Sequence, residues 1–235
     1  LVVIAIIGIQ AALLFPAIQG ALVKAKAVKI GSNGRQVHLA VFGENLSRDT
    51  INMPLIWAQI SPDADDYGQE FADACVSSSE YIKWLVETET MEGVDLTYFS
   101  APGLVPEEDE DQFDENNNAW CMVTGITDDM PAETPFMFTK NFNLGGGDLS
   151  SLDETEPLLR STSALPQPFG NKVGVVITKG GGVKVLQEKF LKDENDSPLL
   201  GKELFNPPTT YGGTDYDDGL PLGYLTPEGT VTGTL

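Results

Sequence analysis

Few residues in this chain are of a type that does chemistry. It has one histidine, His38. An imidazole serves as a general base or a metal ligand near neutral pH. His38 has no second histidine to work with, and no acid or nucleophile stands at a useful spacing from it. It reads as a residue on a helix surface. Nucleophilic catalysis needs a base beside the nucleophile, and the sequence holds no G-x-S-x-G, no G-x-x-x-x-G-K-[ST] and no H-E-x-x-H. The glycine runs at 145–147 and 180–182 read as turns, not as a phosphate cradle. Acids are plentiful, and paired carboxylates are the one catalytic device so acidic a chain always offers. The balance favours a protein that is not an enzyme.

The acids fall in three clusters. The first is Asp63, Asp65 and Asp66, and the second runs from Glu107 to Glu115. The third is Asp215, Asp217 and Asp218, followed by Gly219. Calcium takes about six to eight oxygen ligands, and short Asp-rich loops with glycine supply them. Asp215, Asp217 and Asp218 are therefore the candidate calcium ligands, without the distant bidentate glutamate of a full motif. The run at 107–118 reads as a solvated acidic loop. Cys75 and Cys121 are the only cysteines. In an exported chain such a pair suggests one disulfide; the alternative is two buried thiols. The N-x-[ST] patterns at Asn45–Ser47 and Asn195–Ser197 are frequent by chance.

Thirty-five acids against 14 bases give a formal net charge of −21 over 235 residues. Such a surface repels nucleic acid phosphates, so no nucleic-acid partner is expected. The charge is unevenly placed. Residues 1–35 hold no acid and four bases, Lys24, Lys26, Lys29 and Arg35.

The element that precedes those bases dominates the sequence. Residues 1–23 are uncharged and almost wholly apolar. As a helix they reach about 35 Å, enough to cross a bilayer. Gly8, Gln10, Pro16 and Gln19 disturb a plain anchor. Proline inside a helix removes one hydrogen bond and crowds the preceding turn, so the helix is expected to be weak between Gly8 and Pro16. Three uses compete. A cleaved signal peptide lacks a clear cleavage site here. A transmembrane anchor fits the length, but the lysines after it would hold the rest of the chain in the cytoplasm, at odds with a disulfide. The third use is a segment that sits first in a membrane and later in a filament core.

The order LVVIAIIGI, then AALLFPA, then the basic continuation KAKAVKIGSNGRQ closely resembles the N-terminal segment of mature type IV pilins and type II secretion pseudopilins. The resemblance covers about 40 residues. Gly8 and Pro16 fall where that family has its helix-weakening glycine and proline. The family's initial Phe-Thr-Leu-Ile-Glu-Leu stretch, with its cleavage glycine, methylated phenylalanine and glutamate, is expected upstream of Leu1. The segment PFMFTKNF followed by KVGVVITKGGGVKVLQEKF resembles the C-terminal sheet of large pilin-like proteins. Several members of the family bind calcium in a head loop, which is what the resemblance implies for 215–219.

The stem continues as a helix to about Leu46, with Ala27, Ile30, Gly34, Val37 and Val41 recurring at spacings of three, four and seven. Pro54 and the turn-forming residues before it end the helix. A short amphipathic helix is expected over 79–91, capped by Ser79, with Ile82, Leu85 and Val86 on one face. Strands are expected at Ala119–Ile126, Pro135–Asn141, Gly170–Thr178 and Gly182–Gln187, the last two joined by a glycine-rich hairpin turn. Residues 188–235, rich in Pro, Gly, Thr and Asp, read as mostly irregular.

The expected architecture is α+β and pilin-like, with a stem helix at 1–48 and an acidic head at 49–235. The expected function is that of the major subunit of an extracellular type IV pilus-like filament. Its partners are other copies in a helical homopolymer, the inner membrane before assembly, and the assembly machinery. The alternatives are a type II secretion pseudopilin and a membrane-anchored extracellular hydrolase or binding protein.

Overall fold

The computed structural model describes residues 2–128, 130–142, 159, 166–170, 172–187, 210–211, 214–215 and 223–231. It begins with one long helix, α1 (Val2–Thr50). Short helices α2 (Ala64–Tyr67), α3 (Gln69–Ala74) and α4 (Ser78–Glu87) follow, then single 3₁₀ turns at Leu96–Phe99 and Glu110–Gln112. The strands are β1 (Trp120–Thr124), β2 (Pro135–Thr139), β3 (Val173–Thr178), β4 (Val183–Gln187), β5 (Thr210–Tyr211), β6 (Thr214–Asp215), β7 (Gly223–Leu225) and β8 (Thr230–Val231). The layout is α+β.

Six strands form one antiparallel sheet in the order β4-β3-β2-β1-β7-β8. The C-terminal half of α1 lies across it. Ala27, Ile30, Gly31, Gly34, Val37, His38 and Val41 are buried, one face of a helix turning about 100° per residue. Two glycines let the helix come close. A Cβ on Gly31 would lie 2.5 Å from Val183 Cγ1, and one on Gly34 would lie 2.8 Å from Ile177 Cγ1. The glycines that weaken an isolated helix are thus the residues that admit the sheet. All residues of β1, β2 and β3 are buried. On the side away from α1, Phe138 packs edge-on against Phe142 and Tyr224.

Serines join α4 to the sheet. Ser77 caps the helix by accepting from the Glu80 backbone N–H. Ser78 and Ser79 lie within α4 and are buried; they donate to the backbone oxygens of Trp120 and Pro227 at 2.6 and 3.2 Å. The cap expected at Ser79 therefore moves back two residues, because the Ser77 hydroxyl takes the orphan Glu80 N–H of the first turn. Ile82 and Leu85 face the core as expected, while Val86 is only half-buried.

The four expected strands are present with shorter bounds. The terminal stretch differs from expectation, since Gly223–Leu225 pairs with β1 and carries β8 on its outer side. A three-residue strand leaves no alternation to detect in sequence; its partner strand defines it.

Candidate functional site

From Val2 to Leu22 the described residues of the helix are all exposed. Ile4, Ile7, Ile9, Leu13, Leu14 and Phe15 are each at least 59% exposed. Among the described residues, α1 is the one helix long and apolar enough to cross a membrane, and its most apolar stretch is entirely unburied. Hiding a Val, Leu, Ile or Phe side chain from water contributes about 1.5–3 kcal/mol. This bare surface therefore demands lipid or protein around it.

In the single chain α1 runs unbroken through Gly8, Gln10 and Pro16. Pro16 deprives the Ala12 carbonyl of its usual donor, yet the apolar residues on both sides keep the helical path. A Cβ on Gly8 would meet nothing within 4 Å, and Gln10 is exposed. In this structure Gln10 offers its amide outward from the stem.

A second apolar stripe continues beyond the bare segment. Val28, Leu39, Phe42 and Leu46 are 45–60% exposed. They lie about 120° around the helix from the face packed on the sheet. Their spacing of 11, 3 and 4 residues is a signal that the periodicity of the buried face concealed. Four bases surround the start of this region, with Lys24, Lys26, Lys29 and Arg35 all exposed.

His38 is not on the surface. It is 3% exposed, stacks on Phe42 and meets the edge of Phe136. Its Nε2 lies 2.5 Å from the Lys179 carbonyl oxygen in the β3–β4 turn, so Nε2 carries the proton and donates. Among the described residues Nδ1 is buried without a partner. Burial pushes the His38 pKa below its usual value, against the opposing effect of the Lys179 bond. The sheet hairpin, unseen in the helical pattern, covers this position. His38 is thus a tie between stem and head.

Cys75 and Cys121 are two buried thiols, and no disulfide joins them. Cys75 ends α3 and has Gln59 and Tyr81 as neighbours, whereas Cys121 sits in β1 opposite Phe138. Burial pushes the Cys75 thiol up to about 11. Asn45 is also buried, and its side-chain oxygen accepts from the Ile56 N–H at 2.6 Å, so the sequon there is inaccessible to sugar.

The acidic clusters part ways. Asp63 caps α2. The second cluster is ordered by its own side chains: Asp109 accepts from Asp111 N and Asp114 from Asn116 N, while Phe113 anchors the loop in the core. Glu87 and Glu110 share a hydrogen bond that raises the pKa of Glu110. They line an acidic cleft of about 600 Å³ walled by Trp84. Among the described residues no three His, Cys, Asp or Glu side chains converge as a metal site. Asp215 contributes backbone to β6; its side chain, and Asp217 and Asp218, lie outside the described residues.

Comparison with protein-family models, with curated proteins and with solved structures gives no match in any of the three.

Proposed function

We propose that this chain is the structural subunit of an extracellular filament of the type IV pilin kind, built by packing of α1 stems. The observation that carries the reading is the unpartnered apolar stem, Val2 to Leu22, continuous with a helix whose other half is packed into an acidic head. The sequence resemblance of residues 1–36 to pilin stems also supports it.

In a membrane the stem is satisfied by lipid. Withdrawn from it, burying half of the eleven large exposed side chains between residues 2 and 22 against neighbouring stems contributes on the order of 10 kcal/mol. The same contact repeated without closing gives an open helical polymer. The exposed stripe Val28–Leu46 extends the contact beside the heads, and the acids face outward. Gln10 then needs a hydrogen-bond partner inside the bundle, which a neighbouring backbone freed near Pro16 supplies.

Leu14→Glu tests this reading. A carboxylate in the stem core strongly disfavours bundling, while Leu14 is 60% exposed in the single chain. The expected result is loss of polymer from sheared cell-surface material, with tryptophan fluorescence of the head unchanged. Undiminished polymer would exclude stem packing as the mechanism.

A further inference from the structure

Where the stem leaves the sheet, a groove of about 410 Å³ opens between α1 and the β3–β4 edge. Lys24 and Gln19 border it from the stem, Lys172 and Gln187 from the sheet, and Pro16 and Val23 lie among its apolar walls. No acid lines it. Both lysines are exposed, and among the described residues neither joins an ion pair.

We propose that this groove seats the phosphate of an anionic lipid headgroup. The inference rests on that part of the foregoing reading which places the stem in a membrane before assembly, and not on assembly itself. Depth is the first argument. Lys24 is the first charge after the apolar run, and a helical run of that length spans about the 30 Å of a bilayer's hydrocarbon. Lys24 therefore stands at the headgroups. Charge is the second. The chain carries −21, with every acid beyond residue 35, so an anionic bilayer repels most of the head. The neck is the place where that repulsion reverses. Convergence is the third. Lys172 is 148 positions from Lys24 in the chain, yet the sheet sets it at the same groove. Two ammonium groups and two amides offer donors to one phosphate, and the apolar wall meets the glycerol and upper acyl chain. Long lysine stems reach outward to such a site while their methylenes stay on apolar surface.

The test uses the full chain in phosphatidylcholine vesicles with trace spin-labelled phosphatidylglycerol or spin-labelled phosphatidylcholine. Flotation first reports insertion. Electron paramagnetic resonance then gives the motionally restricted fraction of each lipid. The restricted fraction is expected to favour phosphatidylglycerol over phosphatidylcholine. Lys172→Gln alone should lower that preference about fivefold, the factor one lysine contributes beside an anionic surface. Lys26→Gln, on the other flank of the stem in a groove shared with Asp95, should leave it unchanged. A chain that fails to float overturns the membrane reading and this proposal with it. A chain that floats without selectivity overturns this proposal alone. Equal loss in both variants reduces the effect to diffuse charge and likewise overturns it. So does intact selectivity in Lys172→Gln with reduced filament yield, which would assign the groove to a second copy of the chain.

Discussion

Adding one methyl group at two glycines of the same helix should change stability in opposite directions. Gly34 faces the sheet and Gly43 faces open space. A Cβ at Gly34 would sit 2.8 Å from Ile177 Cγ1 and 2.9 Å from Trp120 Cη2, where carbon atoms prefer about 3.5–4.0 Å. Ile177 has some freedom to turn, but Trp120 is fully buried with its ring edge against the helix. Overpacking of this kind costs about 1–3 kcal/mol. Replacing glycine by alanine inside a helix returns about 1 kcal/mol. Gly34→Ala should therefore lose up to about 2 kcal/mol net, the overpacking cost less the helix gain. Gly43→Ala meets nothing within 4 Å and should gain about 1 kcal/mol. The assay is urea unfolding of the full chain in a mild detergent, followed by tryptophan emission. Stabilisation by Gly34→Ala equal to that by Gly43→Ala would refute the close packing of stem on sheet.

Two further outcomes follow from the buried polar groups. Because burial holds the folded-state pKa of His38 below about 6.5, the unfolded chain takes up the proton first as pH falls. The contribution of His38 is thus complete above pH 6.5 and is lost as pH falls from there through the lower folded value. His38→Gln should make stability fall less steeply on acidification from pH 7 to 5 than in the native chain, the comparison removing the shared effect of the carboxylates. Identical pH slopes would contradict a desolvated imidazole. The two buried thiols should both be titratable by Ellman's reagent after denaturation of protein purified without reductant. Folded Cys75, with its pKa near 11, should resist alkylation at pH 8. An intact mass 2 Da below the reduced value would instead establish a bridge.

The parts of the fold with long periodic patterns were legible in the sequence. The stem and its buried face at Ala27, Ile30, Gly34, Val37 and Val41 lie where the spacing of apolar residues puts them, and so do the four longer strands. Features that depend on distant chain were not legible. His38 is a helix residue whose environment comes from Phe136 and Lys179, nearly 100 and 141 positions away. β7 exists because β1 pairs with it. Ser78 and Ser79 resemble caps locally but are tied to backbone oxygens at Trp120 and Pro227. For the candidate site, the bare stem was plain from composition. The second stripe, Val28 to Leu46, was masked because two apolar faces on one helix blur each other's period. The glycine and proline of the stem read as a weak stretch, and α1 passes through both; a weak hydrogen-bonding position and a broken helix are different things.

The most direct measurement is electron cryo-microscopy of filaments sheared from cells that express this chain, with the subunit identified by mass spectrometry. A filament of the proposed kind shows residues 2–23 of many copies bundled along its axis and the acidic heads outside. Recovery of the chain solely as a monomer in the membrane fraction would contradict it, and the stem would then be an anchor for a head whose task has to be sought elsewhere.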